Sequence, residues 1–512
     1  MPMPPNGTAW PPTNLADIHG AMQKWNSWYV GDPDALTKAY GTTTAVRPSQ
    51  YQGGLVGAAA RFFWGRPTTD LTQRRGHLHV PIAADLAQAS SDLLYADPPT
   101  LTIDNPDAAK ATAARLEQYA DDGLITVLSA GAEIGAVLGG RFQKVVWDRA
   151  LLDRPFVATV DADAAVPEFR WGRLVAVTFW HVLHDDGSLV VRHLERHETD
   201  SQGLGVVFHG LYQGTRTDLG QAIPLTEHPA TAPLATQIGA DGALTEGRTR
   251  GLCVEYIPNL TPQRRWRTHP VGKALGRSDL DGIEPLMDAL DETYNSWMRD
   301  LRLAKARLIV PEYMLRTGKP GEGAGFDLDQ EVFVPMRMAA GEDGDAPITP
   351  QQFAIRVEEH KGTAQQLVED ILRSAGYSAA TFGEDEEGAA ATATETMARK
   401  GRSLLTRGRK IRLERPALAR LGEKLLSIDQ AVFNTPGLVP QPVKVDFGAT
   451  VQDSPLQLAQ TAESLSRAKA ASTATLVRMA HPDWDDTAVK AEVAAIQAEN
   501  SMADPASPAL FG

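Results

Sequence analysis

Residues 278–310 constrain the fold of this chain most strongly, because their apolar positions recur every three or four residues without a break. This spacing places the apolar side chains on one face of an α-helix. The stripe consists of Leu280, Ile283, Leu286, Leu290, Tyr294, Trp297, Leu301, Ala304 and Leu308. Ser278 can cap the helix. At about 1.5 Å per residue the rod would be on the order of 46 Å long. Such a helix is unusual in a globular protein.

A second long helix is predicted to begin at Thr349. Thr349, Pro350 and Gln352 supply a cap residue, a proline at the first helical position and a glutamine at the third. The apolar face of this helix continues to a stop at Gly376. Residues 311–348 between the two helices are rich in glycine and proline and contain one clear strand, residues 331–338. Two long helices joined by a small insertion can lie side by side as a hairpin.

An acidic segment, residues 377–391, precedes a third helical pattern over residues 392–434, in which Pro416 predicts a kink. The acidic group consists of Glu384, Asp385, Glu386 and Glu387, after Gly383. The first part of the helix is strongly basic, with Arg399, Lys400, Arg402, Arg407, Arg409 and Lys410. A second basic group, Arg299, Arg302, Lys305 and Arg307, ends the first long helix. Both groups suit phosphate contacts or ion pairs with neighbours in an assembly, and the sequence leaves both interpretations open.

The remainder of the chain predicts an α+β fold. Helical periods cover residues 14–29, 79–95 and 105–120, and short β-rich runs with turn residues follow from about residue 125 to 259. Residues 184–188 predict a hairpin turn with Asp-Gly at its centre. The proline-rich residues 1–13 predict a loose arm, and residues 501–512 a disordered tail. Residues 443–447 predict a lone strand.

Composition narrows the function. A chain of 512 residues is too long to fold around a single hydrophobic core, so two or more structural units are expected. The net charge of −14 argues against a protein that wraps nucleic acid tightly, since phosphate neutralisation dominates such binding. The single cysteine, Cys253, excludes a disulfide within the chain and lies in an apolar run typical of a buried strand. No apolar stretch is long enough to predict a membrane span.

The sequence gives little support for catalysis or metal binding. The nearest match to a phosphate-binding loop, residues 317–320, has Pro320 where the magnesium-binding hydroxyl would stand. His181 and His193 can face each other across the predicted hairpin, but no further ligand motif accompanies them, so ordinary strand histidines are favoured over a metal site. A cation site at residues 384–387 is less favoured than an acidic loop. We therefore expect no catalytic, cofactor or metal residues.

The order of these parts resembles that of tailed-phage portal proteins of the SPP1 type. Residues 79–103, HVPIAADLAQASSDLLYADPPTLTI, are similar to the family's N-terminal segment, in which a helix ends before a proline-containing turn. Residues 276–312, from GRSDLDGIEP to AKARLIVPE, look like the family's first stem helix. The acidic loop followed by ATATETMARKGRSLLTRGRK looks like its tunnel loop and the helix after it. The resemblance covers most of residues 14–450.

This resemblance implies a non-enzymatic ring, dodecameric in mature particles, at one capsid vertex of a virion assembled in the host cytoplasm. Double-stranded DNA would enter through the ring during packaging and leave through it at infection. The implied partners are other copies of the chain, the terminase large subunit, the major capsid and scaffolding proteins and a head-to-tail adaptor, with no membrane. The implied parts are an N-terminal arm (1–13), wing (14–277), stem (278–310 and 349–376), clip (311–348), tunnel loop (377–391), kinked helix (392–434), wing return strand (435–453), crown (454–500) and tail (501–512).

Two alternatives compete with this interpretation. A DNA-processing enzyme, such as a nuclease or packaging motor, is disfavoured because the sequence lacks a phosphate loop and a carboxylate–metal motif. Another ring-forming virion component, such as a head-to-tail adaptor, is disfavoured because adaptors are usually much shorter and lack the succession of stem, clip, stem and tunnel loop.

Overall fold

The computed structural model describes residues 3–32, 34–36, 78–106, 109–303, 307–309, 316–317, 324–325, 349–351, 356–383, 393–448, 462–468, 470–481 and 486–502. The helices are α1 (Ala16–Val30), α2 (Ile82–Tyr95), α3 (Lys110–Tyr119), α4 (Ile125–Leu138), α5 (Ala232–Ala235), α6 (Glu284–Leu303), α7 (Val357–Ala375), α8 (Ala393–Ile428), α9 (Thr473–Ala480) and α10 (Asp486–Met502). The strands are β1 (Thr100–Ile103), β2 (Gly140–Val146), β3 (Phe156–Asp161), β4 (Ala165–Arg170), β5 (Arg173–Asp185), β6 (Val190–Thr199), β7 (Gly205–Thr215), β8 (Asp218–Ile223), β9 (Val254–Pro258), β10 (Arg307–Ile309), β11 (Arg316–Thr317), β12 (Ala324–Gly325), β13 (Thr349–Gln351) and β14 (Val443–Asp446). This mixture confirms the predicted α+β class.

The chain divides into two compact units, in line with its length. The first unit comprises residues 1–16, 88–278 and 376–512, and the second comprises residues 17–87 and 279–375. Each unit therefore combines segments that are distant in sequence.

The described part of the first unit contains three antiparallel sheets, with the strand orders β4-β5-β6-β7-β8, β3-β2-β9 and β1-β14. The predicted hairpin turn lies between β5 and β6, with Gly187 at φ 90°. One prediction is wrong here: residues 131–138, expected to belong to a β run, form the second half of α4. Gly131 and Gly135 let α4 lie close to side chains of β2, since a Cβ on Gly131 would stand 2.8 Å from Gln143 Nε2. These small residues mask the helical period in the sequence.

The N-terminal segment corrects a second prediction. Residues 3–13, expected to be a loose arm, lie along the edge strand β8. Leu219 N donates to Thr8 O, Trp10 N donates to Thr217 O, and Tyr212 Oη donates to Pro4 O at 2.7 Å. Trp10 is buried in an apolar cluster with Leu194, Tyr212 and Leu219. The arm thus satisfies backbone groups that an edge strand would otherwise leave open, a pairing that its proline-rich sequence did not suggest.

Helix α8 contributes several side chains to the large hydrophobic core of the first unit. It extends through Pro416, and its second half buries Ala417, Leu418, Leu421 and Leu425. Strand β14 pairs antiparallel with β1, so the strand predicted at residues 443–447 has a distant partner. Gly422 permits the close approach of this pair, because a Cβ there would stand 3.1 Å from a methyl group of Val443.

The described part of the second unit combines helices α1, α6 and α7 with four short strands, β10 to β13. The predicted apolar face of α1 is confirmed, with Ile18, Met22, Trp25 and Trp28 all buried. Trp25 Nε1 donates to Glu284 Oε1 at 2.9 Å, which links α1 to the start of α6. Helix α6 is shorter than predicted. It begins at Glu284, and Ser278, the predicted cap, instead donates its hydroxyl to the carbonyl of Val137 in the first unit's own fold.

The two predicted long helices do not extend to the insertion between them, because the residues that flank the insertion form strands. Residues 307–309, predicted as the end of the first helix, form β10, and residues 349–351, predicted as the start of the second, form β13. Leu308 lies opposite Pro350 in this antiparallel ribbon. Ile309 and Val310 are β-branched and precede Pro311, so the sequence there favours extended backbone over helix. The stop of α7 at Gly376, at φ 99°, agrees with the prediction. The strand predicted at residues 331–338 lies outside the described residues.

Candidate functional site

Helix α8 carries the largest group of predicted functional residues, and a buried ion pair fixes its position. Glu414 accepts hydrogen bonds from Arg141 Nη1 at 2.8 Å and Nη2 at 3.0 Å, and from Tyr95 Oη at 3.2 Å. The side chains of Arg141 and Glu414 are 3% and 4% exposed. Burial and the adjacent Glu414 carboxylate raise the pKa of Tyr95, which keeps its hydroxyl a donor. The sequence gives no sign of this contact, because Arg141 and Glu414 are 273 residues apart.

A second buried acid holds the end of the same helical segment. Asp429 is fully buried and forms an ion pair with Arg115 Nε at 2.9 Å. Its carboxylate also accepts from Tyr119 Oη at 2.5 Å and from the hydroxyl of Thr435. Glu414 thus holds α8 to β2, and Asp429 holds the turn after α8 to α3. The direction and depth of α8 are therefore set by charges buried inside one subunit.

The predicted basic residues of α8 fall into two groups. Arg407 and Lys410 are buried and make contacts within the chain. Arg407 donates from Nε to Leu93 O at 2.6 Å and from Nη2 to Gly448 O at 3.0 Å. Lys410 donates from Nζ to Tyr377 Oη at 3.1 Å and to the hydroxyl of Ser90. These two cations hold α8 against the C-terminal half of α2 and against the segments that contain Tyr377 and Gly448.

Of the predicted basic residues of α8, Lys400, Arg402 and Arg409 are exposed. Arg402 and Arg409 lie seven residues apart and thus on one side of the helix. Exposed Arg412 extends the same side. Within the described part of the chain, Lys400, Arg402 and Arg409 form no ion pair. They leave positive charge available to a partner. The side chain of Arg399 lies outside the described residues.

The second predicted basic group is only partly described. Arg299 is exposed on α6. Arg307 lies in β10 rather than on a helix. The side chains of Arg302, Lys305 and Arg307 lie outside the described residues.

The predicted acidic loop begins from a fixed base on α8. Ser378 N donates to Ser403 Oγ at 2.9 Å, and the hydroxyls of Thr381 and Ser403 are 2.7 Å apart. Thr406 Oγ1 donates to Gly376 O at 2.6 Å. Gly383, at φ 77°, ends the short 3₁₀ turn Ala379–Phe382. Glu384, Asp385, Glu386 and Glu387 lie outside the described residues.

The histidines considered as metal ligands belong to a polar ladder on the five-stranded sheet. His181 lies opposite His193, and His193 Nε2 is 3.0 Å from His209 Nδ1. Glu195 accepts from Lys144 Nζ at 2.7 Å and pairs with His197 Nε2 at 2.6 Å. Burial lowers the pKa of both His193 and His209 to about 4, so both are neutral at pH 7. These rings pair with one another and with Glu195 instead of converging on a common point.

Among the described residues, no group of three or more histidine, cysteine or carboxylate side chains could hold a metal ion. In the same part of the chain, no helix is both long enough and apolar enough to cross a bilayer.

The helix pair, the basic helix and the acidic segment between them all fall inside a match to a known family. The family model described as phage portal protein, SPP1 Gp6-like, matches residues 223–506, which is more than half of the chain. The chain therefore belongs to the SPP1 Gp6-like family of phage portal proteins. These are structural components of the phage particle rather than catalysts. No curated protein matches the sequence.

Removing the carboxylate of Glu414 should strongly destabilise the first unit. We expect Glu414→Ala to lower the free energy of unfolding by about 3–5 kcal/mol, because it leaves Arg141 charged and buried without its partner. Urea denaturation followed by circular dichroism measures this change. The exposed Glu423, also on α8, provides the control, and Glu423→Ala should change stability by less than about 0.5 kcal/mol. Equal losses for the two variants would contradict the assigned role of Glu414.

The histidine ladder predicts a dependence of stability on pH. In the unfolded chain His193 and His209 titrate near pH 6.5, whereas in the folded chain their pKa values are about 4. Between these values the unfolded state binds more protons, so stability falls on acidification, by up to about 1.4 kcal/mol per pH unit for each histidine. The double variant His193→Asn/His209→Asn should therefore lose less melting temperature between pH 7 and pH 4.5 than the wild type. His184→Asn, at an exposed position, should follow the wild type. Parallel curves for all three proteins would refute the prediction.

Proposed function

We propose that this chain forms a ring-shaped channel at one vertex of a phage capsid, through which double-stranded DNA is packaged and later ejected. Membership of the portal family carries this proposal, and the matched residues 223–506 include the helix pair and α8. The proposed ring is dodecameric and acts without catalysis of its own. A separate terminase large subunit would supply the energy for packaging.

The geometry of α6 and α7 supports their assignment as the two struts of the stem. Near the end of α6, Asp300 Oδ2 is 3.0 Å from both Arg356 Nη2 and His360 Nε2, at the start of α7. The rings of Trp297 and His360 stack with 5.9 Å between centroids. Contacts between the end of one helix and the start of the other make the pair antiparallel. An antiparallel pair repeated by rotation gives the wall of a tube.

The apolar stripe of α6 is only partly covered within the subunit. Leu290 is buried, Leu286, Tyr294 and Trp297 are half-buried, and Leu301 is 39% exposed, while Met287, next to the predicted stripe, is buried. Val357, at the start of α7, is 41% exposed. Apolar surface that rises toward one end of a helix pair is the expected pattern for a wall that neighbouring subunits complete.

The acidic loop and the basic helix suggest how the channel handles DNA. Residues 384–387 would face the channel, where like charge keeps the DNA from adhering. The exposed cations of α8, Lys400, Arg402 and Arg409, are then available for neighbouring subunits or for DNA. Arg299, Arg302, Lys305 and Arg307 lie close in sequence to the clip, where DNA or the terminase would arrive.

The proposed parts follow the family order. The wing comprises residues 14–277 and 435–453, the stem 278–310 and 349–376, the clip 311–348, the tunnel loop 377–391, the long helix 392–434 and the crown 454–500. The proposed partners are further copies of the chain, the terminase, the major capsid and scaffolding proteins and a head-to-tail adaptor.

Reversing the charge of the loop tests the channel function. The variant with Glu384, Asp385, Glu386 and Glu387 all replaced by Lys should assemble normally but package less DNA, because the loop would then attract the duplex. A roughly tenfold or greater loss of infectious particles is expected, because each subunit would present four lysines that can bind phosphates of the duplex and hold it in the channel. Packaged DNA length and particle titre are the measurements.

The matched control reverses four exposed acids of the first unit, Glu117, Asp121, Glu227 and Glu423, to Lys and has the same change in net charge. This control should package DNA of wild-type length. Wild-type packaging and titre in the loop variant would contradict the proposed role of the loop.

A further inference from the structure

The hairpin between β4 and β5 ends in a turn whose first residue does not suit its backbone. Arg170 pairs with Arg173, so the loop consists of Trp171 and Gly172 alone. Their φ values are 53° and 77°, as in the type I′ turns that favour Asn-Gly, Asp-Gly or Gly-Gly. A bulky side chain at positive φ is strained. The requirements of the turn therefore do not explain the tryptophan.

Burial does not explain Trp171 either, because the side chain is 96% exposed. It borders an open cleft of about 480 Å³, lined by Phe169, Trp171, Gly172, Pro270, Lys273 and Ala274. One wall of the cleft is the hairpin and the other is the 3₁₀ turn Gly272–Ala274. An exposed indole beside an apolar cleft is the composition of an interface anchor, since tryptophan and arginine dominate binding hot spots.

The charge around the cleft indicates what it binds. Arg170, Arg173 and Lys273 are all exposed, and within the described part of the chain none of them pairs with a carboxylate. The residues that line the cleft include no acid. The chain as a whole has 64 acidic and 50 basic residues, so another copy carries a net negative charge.

We propose that the tip of this hairpin, Arg170 to Arg173, and the adjoining cleft bind an acidic surface on a neighbouring copy of this chain. The inference rests on the proposed ring and names one contact within it. A ring needs a heterologous interface, in which one patch binds a different patch on the next copy. A protruding tip with an aromatic anchor and three cations serves as one side of such an interface.

Replacing the tryptophan by the residue that the turn prefers separates assembly from folding. W171N gives the turn an Asn-Gly pair, so the melting temperature of the unassembled chain should stay the same or rise. The protein concentration at which half of the chains are in rings should rise about tenfold or more. Mass photometry of the full-length protein over a dilution series measures this concentration. L151N, at a leucine of the same unit that is 69% exposed, is the matched control and should assemble as the wild type does.

The charged part of the contact has its own readouts. Arg170→Glu/Arg173→Glu should weaken the ring as W171N does, and the difference from the wild type should shrink at high salt. In rings mixed from isotope-labelled and unlabelled copies, a carbodiimide should join Lys273 to an aspartate or glutamate of the other isotope. Cross-links confined to one isotope would overturn the proposal.

The outcomes also distinguish this inference from the proposed function. Wild-type rings together with equally stable W171N rings would overturn the contact and leave the ring standing. A wild-type chain that forms no rings would overturn the ring and the contact together. Rings of W171N that are intact but have lost wild-type affinity for a DNA duplex would assign the tip to nucleic acid and also overturn the contact.

Discussion

The buried pair of Arg141 and Glu414 is the interaction on which the first unit depends. Two charges can be buried away from water only when each is paired and hydrogen-bonded. Here the guanidinium of Arg141 donates two hydrogen bonds to the carboxylate of Glu414, and the hydroxyl of Tyr95 donates a third. The pair fixes α8 against β2, and Asp429 fixes the end of the same segment. Because α8 is held in this way, its exposed cations and the loop base at residues 378–383 have defined positions in the subunit.

The basic run of α8 illustrates how one sequence pattern can hold two roles. Two of its cations, Arg407 and Lys410, donate hydrogen bonds to carbonyl, hydroxyl and phenol groups of the same chain. Three others, Lys400, Arg402 and Arg409, are exposed at the surface. Net charge alone cannot separate these groups, since burial depends on which side of the helix meets the core. Of these five predicted cations of α8, only the three of the second group are exposed for a contact with DNA or with a neighbour.

The sequence predicted the elements with a strong local period and missed those made by distant partners. The buried face of α1, the stop at Gly376 and the Asp-Gly hairpin were predictable from spacing and turn chemistry. The arm at residues 3–13 was not, because β7, β8 and the turn between them supply its hydrogen bonds from about 210 residues away. Helix α4 was missed because Gly131 and Gly135 carry no apolar side chain to show its period. Strands β10 and β13 form where helix was predicted, because the β-branched residues before Pro311 favour extended backbone and the two segments pair across the insertion. The ion pairs of Glu414 and Asp429 require knowledge of the fold.

Negative-stain electron microscopy of the purified full-length protein tests the central claim most directly. The proposal of a channel predicts end-on views of closed rings with a stain-filled central hole, and side views with a narrow stem below a wider wing. The proposed stoichiometry predicts twelvefold symmetry in rings taken from assembled particles. Particles of monomer size across a wide concentration range, or compact assemblies without a central hole, would contradict it.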